Sequence, residues 1–234
     1  MLTIRKSKDR GHRDHGWLFA RHSFSFGDYR DENNMGFSDL RVLNDDIVQP
    51  GHGFAKHPHR DMEIITYVLS GELTHEDSMG HVSTIRAGDI QVMSAGKGVY
   101  HAEKNGSHTD PLHLMQIWIL PEAKGLTPRY DEKKFPEEEK RGKLRLIVSR
   151  DGAEDSLPIA QDAKIFAALL DGEEKVAYGL GADRAAYIQV VRGRLDLNGQ
   201  RLEAGDGARV EKETALRFEN GDDAEILLFD LRPH

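Results

Sequence analysis

The 234-residue sequence has no cysteine, which excludes disulfides and thiolate nucleophiles, so any metal must be held by nitrogen and oxygen donors. It has no apolar run approaching the ~18 residues of a membrane span. The opening stretch, MLTIRKSKDRGHRDHG, is positively charged but has no apolar signal-peptide core. No segment keeps a 3.6-residue hydrophobic period for long, so helices do not dominate. An excess of positive charge is missing as well. With 40 acidic and 32 basic residues the net charge is -8, the wrong sign for neutralising phosphates. These absences lead us to expect a cytoplasmic protein that binds neither nucleic acid nor membrane.

What remains is strand and turn chemistry. HSFSFGDY, HLMQIWIL, KLRLIVS and AAYIQVV read as short strands, and LRVLNDDIV as a strand broken at Asp45 and Asp46. In RLDLNGQRL, Asn198 and Gly199 stand where a two-residue hairpin needs positive φ. The pattern predicts an all-β protein with sandwich-like strands. The charge-dense segment RYDEKKFPEEEKRGK separates two halves. We expect domains at 1–130 and 144–234 with a charged linker at 131–143. A weak internal repeat relates the halves: an apolar strand, Gly71 or Gly193, a second strand, a turn, then AGD at Ala87–Asp89 or Ala204–Asp206.

The halves differ in histidine. Eleven of the twelve lie in residues 1–113, and the twelfth is His234, so a histidine site belongs to the first half. Side chains two apart on a strand share a face, with α-carbons ~6.7 Å apart. His57 and His59 form one such pair, and His101 and Glu103 another. Together they make three imidazoles and a carboxylate, a set suited to Fe, Mn, Co, Ni, Cu or Zn. If the first strand ran straight on, Glu63 would lie ~13 Å from His59, which favours Glu103 as the oxygen ligand. Glu63 is then an outer hydrogen-bond acceptor or solvent-facing. His12, His15, His22, His75, His81, His108 and His113 read as surface, turn or packing residues. AGKG has no Walker spacing. Met35, Phe37, Met93 and Tyr100 fit either an apolar pocket or the core.

GHGFAKHPHRDME resembles the first cupin motif, and GDIQVMSAGKGVYHAEKN is similar to the second, although Ser94 stands where a proline is common. With HSFSFGDY and SAGKGVYHAE, the first 130 or so residues resemble the pirin family of two-cupin proteins. That resemblance implies a bicupin, two jelly-roll (double-stranded β-helix) domains of which only the first holds metal. It implies one divalent transition metal, iron(II) first, with zinc, nickel, cobalt, manganese or copper open, on His57, His59, His101 and Glu103. It implies a quercetin 2,3-dioxygenase-like activity on flavonols and O₂ that releases CO, with Glu103 accepting the hydroxyl proton. The alternative it carries is a protein-interaction or transcriptional co-regulator role with a structural or redox-sensing metal. A monomer is expected. Three imidazole ligands predict metal affinity that falls as pH drops through ~6.5.

Overall fold

Residues 1–233 are described by a computed structural model, and His234 lies outside them. The chain is all-β as expected; among the described residues, helix is confined to one α-turn, Glu137–Lys140, and two 3₁₀ turns. Among the described residues, no helix is long and apolar enough to cross a membrane. The chain divides into two compact units. One holds Gly11–Lys134 and Ile159–Gln161; the other holds Met1–Arg10, Phe135–Pro158 and the chain from Asp162 onward.

These boundaries differ from the expected 1–130 and 144–234 because backbone pairing outranks sequence position. Leu2–Arg5 is an edge strand antiparallel to Gly207–Glu211, which takes the N-terminus into the second unit. Residues 131–143 are not a solvated connector. Their first part completes the strand Arg129–Lys134, paired with Asp89–Ser94. Beyond it Phe135 and Lys140 are buried.

The first unit has a seven-stranded sheet and a four-stranded sheet. Two strand expectations are corrected. HSFSFGDY pairs only as far as His22, the end of Leu18–His22, and then turns through a Phe26–Tyr29 bridge. Leu40–Val48 runs unbroken through Asp45 and Asp46. It tolerates both because the pleat sends them to opposite faces: Asp46 is buried, whereas Asp45 pairs with His113 at 2.7 Å. The straight run from His59 to Glu63 does not occur either. Gly53–His59 belongs to the four-stranded sheet and Glu63–Ser70 to the seven-stranded one, with Asp61 at φ 49 in the turn between them.

A row of polar residues crosses the buried face of the larger sheet. Gln91 is opposite Thr66, Thr66 opposite Gln116, Gln116 opposite Asn44 and Asn44 opposite His22. All five are buried. The repeat locates the corresponding row in the second unit: aligning Gly71 with Gly193 puts Ile188 at the place of Thr66, and aligning Asp89 with Asp206 puts Ala208 at the place of Gln91. Ala208 does pair with Ile188, and the row continues through Leu228, Phe166 and Leu146. Every member belongs to the aliphatic core of that unit. The same framework therefore carries buried polar side chains in one copy and hydrocarbon in the other.

The repeat is also explicit in its turns. Asp89 and Asp206 each accept the backbone N–H three residues earlier, from Arg86 at 2.7 Å and Glu203 at 3.1 Å. Gly71 and Gly193 have φ of 80 and 66, and a Cβ on them would meet the Pro111 carbonyl at 2.7 Å and the Asp223 carbonyl at 2.1 Å. Both the conformation and the space require glycine. Gly193→Ala is expected to cost at least ~2 kcal/mol, since a left-handed alanine already costs ~1–2 kcal/mol before the backbone clash. Urea denaturation checks this, and an unchanged midpoint would contradict the turn geometry.

Candidate metal centre

The histidines come together across one strand pair. His57 and His101 are directly opposite each other on adjacent strands of the small sheet, and His59 is two residues along on the same face. Ligand atoms of His57, His59 and His101 lie within 4.8 Å of one another. His57 Nδ1 is 2.7 Å from the Ala55 carbonyl. A carbonyl only accepts, so Nδ1 carries the proton and Nε2 keeps its lone pair. His101 Nε2 lies 3.1 Å from that lone pair, a span that two metal–nitrogen bonds of ~2.1 Å can bridge. Fixing an imidazole through its other nitrogen is how proteins hold a metal-ligating histidine.

Glu103 follows His101 across a register shift in the pairing with Gly53–His59. It is 2 % exposed, and three strands of the large sheet supply its donors. Gln91 Nε2 donates to Oε1 at 2.9 Å, Gln116 Nε2 to Oε2 at 2.9 Å, and the Thr66 hydroxyl to Oε1 at 3.2 Å. These charge-assisted bonds are what makes a buried carboxylate tolerable. A ligand oxygen of Glu103 is within 4.8 Å of His101 and also of His75. The histidine trio and the trio with Glu103 thus share His101, and Glu103 does not fall within that span of both His57 and His59.

His75, read as a surface, turn or packing residue, packs in the interior beside the candidate ligands. It is fully buried, its Nε2 donates to Asp77 Oδ2 at 3.2 Å, its ring stacks on Tyr130 at 4.6 Å, and its Nδ1 has no hydrogen-bond partner. His22 is likewise buried, with its ring Nδ1 donating to Asn44 Oδ1 at 2.9 Å. Glu63 is buried rather than solvent-facing, takes the Ser94 hydroxyl at 2.6 Å and belongs to neither ligand group. Burial pushes its carboxyl above the usual range.

The three imidazoles and Glu103 open into a cavity of about 530 Å³. Trp17, Phe26, Phe54, Ile64 and Trp118 wall it, with the Trp118 ring 4.9 Å from that of His59. Of the residues left between pocket and core, Phe37 and Met93 are core, Met35 and Tyr100 are exposed, and none lines this cavity. Thr66, Gln91 and Gln116 were missed as functional residues. The available signal was a lone amide or hydroxyl at an inward position of an apolar run, as in HLMQIWIL.

Known proteins resemble this chain along its whole length. The pirin family profile matches residues 3–119, and that of the quercetinase C-terminal cupin domain matches residues 146–231. The quercetin 2,3-dioxygenase of Escherichia coli K12 is 46% identical over 233 residues, covering 100% of both chains. A pirin-like protein of Caulobacter vibrioides is 45% identical, covering 98% of this chain and 99% of its own. The crystal structure of the E. coli bacterial pirin YhhW in complex with nickel(II) superposes with a TM-score of 0.95 at 45% identity, covering 100% of each chain. Both units are thereby cupin domains.

Burial, followed by repulsion from neighbouring imidazoles, lowers His59 to about 4 and His101 to about 3. Proton competition at these two positions therefore moves well below the expected ~6.5. The sign for stability follows: between ~6.5 and these lower values the unfolded chain binds protons that the folded one refuses, so folding weakens as pH falls. The metal-free protein is expected to keep its full Tm above ~6.5 and to lose Tm steadily down to pH 4. His101→Asn should flatten that slope. Thermal melts at a series of pH values test this; an unchanged slope in His101→Asn contradicts it.

Proposed function

The chain belongs to the pirin family of two-cupin proteins, and on that premise we propose that it is a metal-dependent dioxygenase that opens flavonols such as quercetin with O₂, releasing CO and a ring-opened ester. The observation that carries this reading is the convergence of three imidazoles and a buried carboxylate on one wall of a ring-lined cavity. We assign His57, His59, His101 and Glu103 as the residues that hold one divalent metal, iron(II) first, and the nickel(II) complex of the E. coli relative keeps nickel among the ions to be tried. When bound, the metal supplies a Lewis acid for the enol oxygen and a redox-active centre for O₂.

The protein's own side chains do the rest. Trp118, Phe26 and Phe54 offer flat apolar surface to a planar substrate and exclude water from the reacting end. Glu103 handles the proton. A carboxylate has about four lone-pair sites. Three are engaged by Gln91, Thr66 and Gln116, which leaves one on Oε2. The Thr66 hydroxyl has a second acceptor, Gln116 Oε1 at 3.4 Å, so its rotation releases a site on Oε1 as well. Glu103 can in this way serve as a ligand and still accept the hydroxyl proton of the enol.

Aerobic incubation of the metal-loaded protein with quercetin, scored by loss of the flavonol absorbance and by CO, tests the reading. His59→Ala and His101→Ala should each abolish turnover while keeping a β-protein circular dichroism spectrum. Turnover that survives complete metal removal would overturn it. Gln91→Leu deprives Glu103 of a donor and is expected to weaken metal binding by ~10–100-fold, read by competition with a chelator. Glu103→Gln should lose metal, whereas Glu63→Gln, away from the ligand groups, should retain it.

A further inference from the structure

One ring nitrogen of the most deeply buried imidazole ligand has nothing to bond to. His101 is 1% exposed, and its Nδ1 is buried with no hydrogen-bond partner among the described residues. His57 differs, because the Ala55 carbonyl fixes its Nδ1 proton. The other nitrogen of His101, Nε2, faces the His57 Nε2 lone pair and is the one available to a metal. A neutral imidazole that ligates through Nε2 carries its proton on Nδ1, so as a ligand this ring needs an acceptor there. A buried N–H left unpaired would work against the very tautomer that binds metal.

The complementary atom is His75 Nδ1. His75 and Asp77 lie directly opposite Glu103 and His101 on the neighbouring strand, and the pleat puts all four on one face. The His75 and His101 ring centroids are 5.4 Å apart, and a ring nitrogen of each lies within 4.8 Å of the other. His75 Nε2 gives its proton to Asp77 Oδ2 at 3.2 Å, which leaves the lone pair on Nδ1. That lone pair is buried and unpartnered too. Its surroundings are fixed. Asp77 Oδ1 is held by the backbone N–H groups of Met79 at 2.8 Å and His81 at 3.1 Å, and Tyr130 stacks on the His75 ring. A small turn of the two imidazoles brings their edges to the ~3 Å of a hydrogen bond. We propose that His75, oriented by Asp77, accepts the Nδ1 proton of His101 when His101 ligates through Nε2, and so acts as a positioning residue for the metal centre. This rests on His101 being a ligand and is independent of the substrate. Both rings stay neutral, so the contact needs no net gain or loss of a proton.

The test is nitrogen NMR of the zinc-loaded full chain carrying isotopically labelled histidine. Zinc is diamagnetic, and ring-nitrogen shifts report which nitrogen holds the proton. His101 should be protonated on Nδ1 and His75 on Nε2, with a scalar coupling between the two Nδ1 nuclei that only a shared hydrogen bond transmits. A His75 protonated on Nδ1, or no such coupling, overturns the inference and leaves metal binding by His101 intact. His101 ring signals that do not respond to zinc overturn the ligand assignment and this inference with it. Zinc affinity, read by competition with a chelator, separates positioning from packing. His75→Phe keeps a ring against Tyr130 but has no acceptor, and should bind zinc ~10–100-fold more weakly than wild type. His75→Asn loses the ring but offers a side-chain oxygen near the place of Nδ1, and should bind zinc more tightly than His75→Phe; a packing role requires the reverse order. Wild-type affinity in His75→Phe, or an affinity in His75→Asn no tighter than that of His75→Phe, overturns the inference. If the variants fail to fold, the wild-type spectrum decides alone.

Discussion

The first unit is organised around the burial of a single charge. Glu103 lies where a carboxylate is intolerable without donors, and its donors come from three different strands: Thr66, Gln91 and Gln116. Each must be in register for the others to be useful, because a one-residue slip sends a side chain to the opposite face. The carboxylate therefore ties the small sheet that carries it to the pairing of the large one. The histidines gain from the same arrangement, since His101 stands two residues before Glu103 and directly opposite His57.

Much of this was legible in the chain. Pairs two residues apart on short strands identified His57, His59, His101 and Glu103, and the AGD turns revealed the repeat. What failed did so for identifiable reasons. Whether the chain ran straight from His59 to Glu63 was left conditional, and the change of sheet at Asp61 had no local mark, because a left-handed aspartate is not signalled in sequence as a glycine would be. The break expected at Asp45 and Asp46 assumed that an acidic pair ends a strand, whereas the pleat pairs Asp45 with His113 on one face and turns Asp46 into the cavity on the other. His75 was read as a surface, turn or packing residue, but Tyr130 from another strand stacks on its ring. Partners brought by another strand leave no local trace.

The second unit shows how little separates a site from a core. Ala208, Ile188, Leu228, Phe166 and Leu146 occupy the row that Gln91, Thr66, Gln116, Asn44 and His22 occupy in the first. The strands and turns are shared, and only the chemistry of the inward row differs. Fold and function are thus separable within one chain.

That contrast bears on the mutational routes open to such a protein. Exchanging one member of the aliphatic row for an amide would bury an unsatisfied group at a cost of ~1–3 kcal/mol, with no carboxylate present to reward it. Introducing the carboxylate first is worse, because it arrives without donors. Each step is deleterious until several have accumulated, whereas the reverse path, from polar row to hydrocarbon, becomes neutral once the site is no longer needed. Between two copies of one framework the path is a ratchet: a polar row can decay into hydrocarbon one substitution at a time, but a hydrocarbon row cannot become a carboxylate-holding row by the same steps.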